Sequence, residues 1–388
     1  MIKWIGVCKL GHFDIIMVIF TLLVLVLSLC GSRYLAAGQI RRMIFAAIML
    51  FDGGTVGFVL SNGWWGHLFT TSLIVSGIVI VITTQLIICV MVFLALLVRW
   101  CWRRMLQVPV DVSRRRLLKH AAVYPALAGG LSLYGGVYER SHTVERSYTI
   151  PVRAAGSMAG YRLAQISDIH LGLFFTTDDL RELLERTAAA GPDMLVITGD
   201  LFDDVSQNPT AARMLDDYVD RFRDGIWYCP GNHEYYRGLT EIWHLLAQTR
   251  VHALYNSAEQ VPGQDFWVAG VAYAFARGET AFRQERQEYL TEALQEVPDT
   301  GRTLLLAHHP EFIDDAAGVG IPLTLTGHTH GGQFGLFGVP LLPGFKYTRG
   351  MVHIGSSYGY VHSGNGSWFP MRIGCPPEIA YFTLAEGE

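Results

Sequence analysis

Six groups of polar residues able to bind metal recur in order along the C-terminal part of the chain. They are Asp168-Ile169-His170, Gly199-Asp200, Gly231-Asn232-His233-Glu234, His308-His309-Pro310, Gly327-His328-Thr329-His330 and the adjoining Gly331-Gly332-Gln333. Asp brings charge and can bridge two ions, His brings an imidazole nitrogen, and Asn brings a neutral carbonyl oxygen. Two divalent ions held roughly 3.5–4 Å apart need a shared carboxylate and several neutral donors on each side. Such a mixed set suits manganese, iron or zinc better than calcium, which takes oxygen alone. The chemistry expected of it is metal-dependent hydrolysis.

Each group sits just past a short apolar run: Leu163–Ile166, Met194–Thr198, Ile226–Cys229, Thr303–Leu306 and Pro322–Thr326. Short β-branched runs alternating with helical patterns predict buried strands of an α/β domain. Ligands at the carboxyl ends of such strands converge on one crevice. Helices are expected over Asp178–Ala190, with Thr176 and Thr177 as cap candidates, and over Ala211–Phe222 and Thr280–Leu294. Glycines beside Asp200, Asn232 and His328 are expected to let the backbone turn tightly.

The ordered set D-x-H, G-D, G-N-H-E, H-H-P, G-H-T-H-G-G-Q resembles the calcineurin-like metallophosphoesterase superfamily. The likeness extends to its bacterial membrane-anchored branch through Pro376-Pro377-Glu378-Ile379, and it covers roughly residues 148–388. The resemblance implies a four-layer αββα sandwich and a pair of divalent ions. Asp168, His170 and His330 would hold one ion and Asn232, His308 and His328 the other, with Asp200 bridging. His233 would face the scissile phosphate and assist the leaving group, while a metal-bridging hydroxide attacks. His308 takes the ligand role over His309, because it is the first residue past its strand and matches the family position. His309 and Gln333 then support the site or face substrate. Glu234, Asp203 and Asp204 are expected to be solvated or orienting neighbours.

The first third is a different material. The chain has 388 residues, 51% hydrophobic and 16% charged, with mean hydropathy +0.27. The apolar excess lies before residue 140, which predicts a membrane region (1–140), a linker (141–152) and a catalytic domain (153–388). About four spanning helices are expected, near 15–30, 43–60, 68–98 and 117–138. The third run exceeds the ~20 residues that one span needs, so it is one long helix or two half-length segments broken near Thr83-Thr84-Gln85. Arg33, Arg41 and Arg42, and the basic run from Arg99 to Lys119, mark cytoplasmic loops. Four spans then place the domain on the extracytoplasmic side of a bacterial inner membrane. Ser113–Lys119 also resembles a twin-arginine export motif. Asp52 lies inside the second apolar run, where carboxylates are costly.

A net charge of −4, with no basic stripe in the domain, disfavours a nucleic-acid polymer as substrate. Of the six cysteines, Cys229 and Cys375 fall in the domain, and their spacing does not establish a pair. Phe174-Phe175, Phe334–Phe345 and Trp368-Phe369 would give the polar site an apolar rim. A tethered phosphoesterase with such a rim is expected to act on phosphate esters or diphosphates at the membrane, with lipid-linked substrates foremost. The alternatives are a UDP-2,3-diacylglucosamine pyrophosphatase-like activity, a tethered phosphodiesterase of soluble nucleotides and, last, a non-catalytic sensor.

Overall fold

The computed structural model describes residues 12–35, 38–65, 71–106, 123–153, 155–336, 338–341, 343–367 and 369–387. The chain divides into two units, residues 1–137 and 138–388. The twin-arginine-like motif lies outside the described residues, as do Phe337, Leu342 and Trp368.

The first unit is helical: α1 (His12–Leu35), α2 (Gly38–Trp65), α3 (Thr71–Leu106) and α4 (Val123–Leu133). Among the described residues two helices, Gly38–Leu60 and Ser72–Val98, are long and apolar enough to cross a membrane, and Met17–Cys30 is a shorter apolar helix. That is fewer than the four expected. Among the described residues the fourth candidate gives the 11 residues of α4, after which Tyr134–Tyr138 widens into a π-helical turn containing Gly135 and Gly136. The third candidate is a single helix, and Thr84 Oγ1 donates to Ile80 O at 2.7 Å without breaking it. Asp52 is fully buried: Gln85 Nε2 donates to its Oδ1 at 2.9 Å, and Ser28 Oγ donates to Gln85 Oε1 at 2.9 Å. Polar groups on α1, α2 and α3 thus bond to one another across the helices, while Asp52 Oδ2 stays buried without a hydrogen-bond partner among the described residues.

The second unit opens on β1 (Val144–Arg153), which pairs in parallel with β14 (Glu378–Gly387) along its whole length. Residues expected to be a linker are therefore mostly an edge strand. Their polar composition hid it, because most of its side chains are at least partly exposed. Then follow β2 (Arg162–Ile166), α5 (Thr177–Ala189), β3 (Met194–Thr198), α6 (Asn208–Tyr218), β4 (Ile226–Cys229), α7 (Asn232–Arg237), α8 (Leu239–Leu246) and β5 (His252–Ala253). The sheet order is β1-β14-β2-β3-β4-β5, with β2 to β5 parallel.

The second sheet comes from β6 (Ser257–Gln260), β7 (Trp267–Gly270), β8 (Thr303–Leu306), β9 (Leu323–Thr326), β12 (Gly350–Ile354) and β13 (Ser357–Val361), in the order β12-β13-β9-β8-β7-β6. Helices α9 (Glu279–Ala293) and α10 (Phe312–Gly318) belong to this half, and a small hairpin pairs β10 (Gly335–Leu336) with β11 (Val339–Pro340).

Strand alternation sorts the core into layers. Met194 and Val196 of β3, with Leu304 and Leu306 of β8, fill the space between the sheets. Their neighbours Leu195 and Ile197 pack under Leu180 and Leu184 of α5 and Leu215 of α6. On the far side, Leu305 packs with Leu290 of α9 and Phe312 of α10. Helices, sheet, sheet and helices make the four layers expected. At α5 the Thr176 cap forms as predicted, with Thr176 N donating to Asp179 Oδ2 at 2.7 Å and Asp179 N to Thr176 Oγ1 at 3.3 Å.

Candidate metal centre

The strand ends deliver their residues to one crevice. Asp168 and His170 follow β2, Asp200 follows β3, Asn232 follows β4, His308 follows β8, and His328 and His330 follow β9. Two clusters result, Asp168/His170/His330 and Asp200/His308/His328, and His170, Asp200 and His233 form a third grouping between them. The backbone is strained here. Seven described non-glycine residues have positive φ, and five of them are Asp168, His170, Asp200, His328 and His330. Left-handed backbone at non-glycine residues is costly and gathers at functional sites. Gly199 has φ 83°, as expected of a tight turn, and a Cβ there would lie 2.7 Å from His308 Nδ1. Gly231 and Gly327 have no such backbone. They are glycine because a Cβ would overlap Asp200 or Asp168.

Hydrogen bonds fix which atoms face inward. His308 Nδ1 donates to Thr198 O at 2.6 Å, leaving Nε2 3.1 Å from Asp200 Oδ2. His170 Nε2 stands 3.0 Å from His330 Nε2, with His170 Nδ1 on Asp203 Oδ2 at 3.2 Å. Asn232 Oδ1 and His308 Nε2 are buried with no hydrogen-bond partner among the described residues. Lone pairs converging on buried carboxylates fit divalent cations. The field of the carboxylates draws positive charge. Burial opposes a charge on His308, yet Asp200 and Asp168 outweigh it and push the imidazole up to about 10, so without metal Nε2 holds a proton where a divalent ion would bind. His328 and His330 are held well below the usual range, first by burial and then by the neighbouring histidines, so both remain neutral donors.

Several residues hold this array from behind. Glu234, expected to be solvated or orienting, is fully buried. Its Oε2 accepts from Asp200 N and Gly231 N (3.0 and 2.7 Å), and its Oε1 accepts from Leu201 N and Phe202 N (2.8 and 3.0 Å). It ties the Asp200 loop to the Asn232 turn. Asp203 lies 3.2 Å from His170 Nδ1, 3.0 Å from His233 Nδ1 and 2.6 Å from Arg237 Nε. Despite its burial, the two histidines hold its carboxyl well below the usual carboxylate range. Asp204 instead caps the local turn through Ser206 and Gln207.

His233 donates its backbone N–H to Asp200 Oδ1 at 2.9 Å and keeps its ring partly exposed. Burial disfavours a charge on it, but Asp203 and Asp200 raise its pKa overall. His309 is in neither metal cluster. Buried against Phe282 and Phe345, it is pushed down to about 3 by burial and by His308. Gln333 bonds Ser367 Oγ and Phe369 O and so anchors the loop beyond the metal turn. Two residues carried no sequence signal. Tyr273 places its hydroxyl 3.1 Å from His328 Nε2. Arg372, wholly buried, donates to Ser363 O and Gly366 O at 2.7 Å behind His330. Cys229 and Cys375 are both free thiols.

Residues 161–332 match the calcineurin-like phosphoesterase family. An uncharacterised metallophosphoesterase of Helicobacter pylori (strain ATCC 700392 / 26695) is 30% identical over 278 residues, spanning 70% of this chain and 72% of that protein. The chain belongs to the calcineurin-like phosphoesterase family. A second uncharacterised metallophosphoesterase, from Helicobacter pylori J99, is 31% identical over 58% of this chain and 59% of its own length. A zebrafish (Danio rerio) protein named as a transmembrane protein with a metallophosphoesterase domain is 32% identical over 66% of this chain and 60% of its own length. The chain thus spans less than two thirds of these last two relatives. The second and third apolar helices and the transmembrane relative point together to membrane association.

Proposed function

We propose that the protein is a membrane-anchored, metal-dependent phosphoesterase that cleaves phosphate esters or diphosphates of lipid-linked compounds. Asp168, His170 and His330 would hold one divalent ion, Asn232, His308 and His328 a second, with Asp200 shared; manganese, iron or zinc suits these donors. When bound, the ions would supply positive charge to the phosphoryl oxygens and make water a better nucleophile. His233 serves as proton donor to the leaving oxygen: Asp203 Oδ1 lies 3.0 Å from its Nδ1, its Nε2 is left for substrate, and Asp203 and Asp200 favour a proton on the ring. Asp203 and Glu234 hold the nucleophile side and the acid side in register.

The observation that carries the hydrolytic reading is the buried, unpartnered Asn232 Oδ1 beside Asp200 and His308, whose Nε2 lies 3.1 Å from Asp200 Oδ2. The lipid-linked part rests on exposed apolar side chains on the segments that follow the metal-binding groups: Leu173, Val205, Tyr236, Leu336 and Val339, with Phe275 beside Tyr273. Unpaired apolar surface beside a polar crevice favours a substrate with an apolar portion. Sidedness follows the number of crossings: with the basic stretch from Arg99 to Lys119 cytoplasmic, the extracytoplasmic placement we propose requires α4 to cross as a fourth span, and three crossings would leave the domain cytoplasmic.

The test compares a lipid-linked diphosphate in mixed micelles with a water-soluble nucleotide, using the full-length protein and manganese. The proposal expects kcat/KM to favour the lipid-linked compound by about tenfold or more, since burying a short apolar stretch is worth 1–3 kcal/mol. Equal or better turnover of the nucleotide would assign a soluble substrate instead.

A further inference from the structure

The structure assigns a metal-positioning role to Tyr273, which fixes the tautomer of His328 so that Nδ1 is the nitrogen presented to the second metal. The inference rests on the proposed function and deepens it at that half of the site.

The geometry is direct. The phenol oxygen is 3.1 Å from His328 Nε2, and a neutral imidazole has one N–H and one bare nitrogen. If the phenol accepts the Nε2 proton, Nδ1 is bare; if it does not, Nδ1 carries the proton and cannot bind an ion. Partners on the second ring nitrogen decide this choice at metal-ligating histidines. The ring of Tyr273 also lies against the whole half-site, with centroids 5.2 Å from His328 and 5.9 Å from His308.

The loop that carries Tyr273 is held on both sides. Before it, Ala272 N donates at 2.8 Å to Oδ1 of Asn256, and Asn256 Nδ2 is tied to Glu292 at 2.9 Å. Asn256 has φ 47°, the one positive-φ non-glycine residue away from the metal loops among the described residues. After it, Phe275 N and Ala276 N both donate to Glu285 Oε2 at 2.7 Å, and Tyr289 Oη donates to Glu285 Oε1 at 2.9 Å. A loop that only closed the surface would not need a strained asparagine and a doubly engaged carboxylate beside one tyrosine. Preorganised support of this kind is what holds a ligand within tolerance.

The experiment titrates the full-length protein, in detergent and freed of metal, with Mn2+. Bound metal is counted by elemental analysis, and the spin-coupled pair is followed by EPR. Wild type should take up two ions and show the coupled signal. Tyr273→Phe should keep the first ion, lose about 10–100-fold in affinity for the second, and lack the coupled signal at loadings that give it in wild type. Tyr273→Gln, which restores an acceptor without the ring, should recover second-ion binding relative to Tyr273→Phe. Equal second-ion affinity in Tyr273→Phe and wild type overturns the inference and leaves the proposed function standing. No better binding in Tyr273→Gln than in Tyr273→Phe overturns it as well. A wild type that takes up no second ion overturns the proposed function itself.

Discussion

Asp203→Asn removes one charge and almost no volume, and it touches both halves of the proposed chemistry. The carboxylate sits 3.0 Å from His233 Nδ1 and 3.2 Å from His170 Nδ1. At 3.0 Å, Coulomb's law gives roughly 1.4 kcal/mol at the dielectric of water and roughly 5.5 kcal/mol at an effective value near 20. The Asp203 side chain is 13% exposed and that of His233 20%, which places the pair between these limits, at about 2–4 kcal/mol. That attraction keeps the imidazole protonated, so the variant loses the proton donor at a lower pH and holds it in a smaller fraction of molecules. At a pH above the lowered pKa, a loss of up to about 30- to 1,000-fold in kcat follows. The assay is phosphate release by full-length protein at saturating manganese, with bound metal measured on the same sample. Metal should remain bound at saturation, though more weakly, since Asp203 also orients His170. An Asp203→Asn protein that retains metal and turns over within threefold of wild type would refute the reasoning.

Other consequences concern stability and the acid. Glu234→Gln would place an amide N–H against backbone donors now facing a carboxylate; a loss of about 2–3 kcal/mol is expected, read as a fall of several degrees in the domain's Tm. His233→Ala should keep both ions and lose about 10²–10⁴ in turnover; loss of metal would make His233 a ligand. His362 is fully buried, and burial holds it down to about 4 from its ordinary 6.5. The unfolded chain therefore takes up this proton first, so stability is full above pH 6.5 and falls toward pH 4, by about 3 kcal/mol at this site. His362→Asn, whose Oδ1 can still accept from Gly364 N, should flatten that slope in denaturation measured across the window; an unchanged slope would count against it.

How much of this was legible in the sequence depended on periodicity. Met194–Thr198, Ile226–Cys229 and Thr303–Leu306 are strands with the limits expected, and Asp200, Asn232 and His308 follow them. Runs buried on both faces leave a continuous apolar signature, so their ends are sharp. β1 left none, because an edge strand with mostly exposed or partly exposed residues reads as polar linker. The supporting residues were hidden for another reason. Glu234 and Asp203 sit beside ligands in sequence, yet their roles depend on atoms more than 30 residues away. Tyr273 has no local marker at all, since its partner lies 55 positions along the chain. The apolar N-terminal region was plain in composition. The fourth span was not borne out by length: among the described residues α4 covers only Val123–Leu133, with Pro125 and one glycine pair inside it.

The measurement that bears most directly on the central claim pairs the full-length protein with Asp200→Asn, each saturated with manganese and incubated with a lipid extract. Released phosphate compounds and bound metal are read together. The account predicts hydrolysis by wild type that chelation abolishes, and a loss of about a hundredfold or more in the variant, with the fold retained because volume is conserved. Wild-type turnover from metal-saturated Asp200→Asn would contradict it.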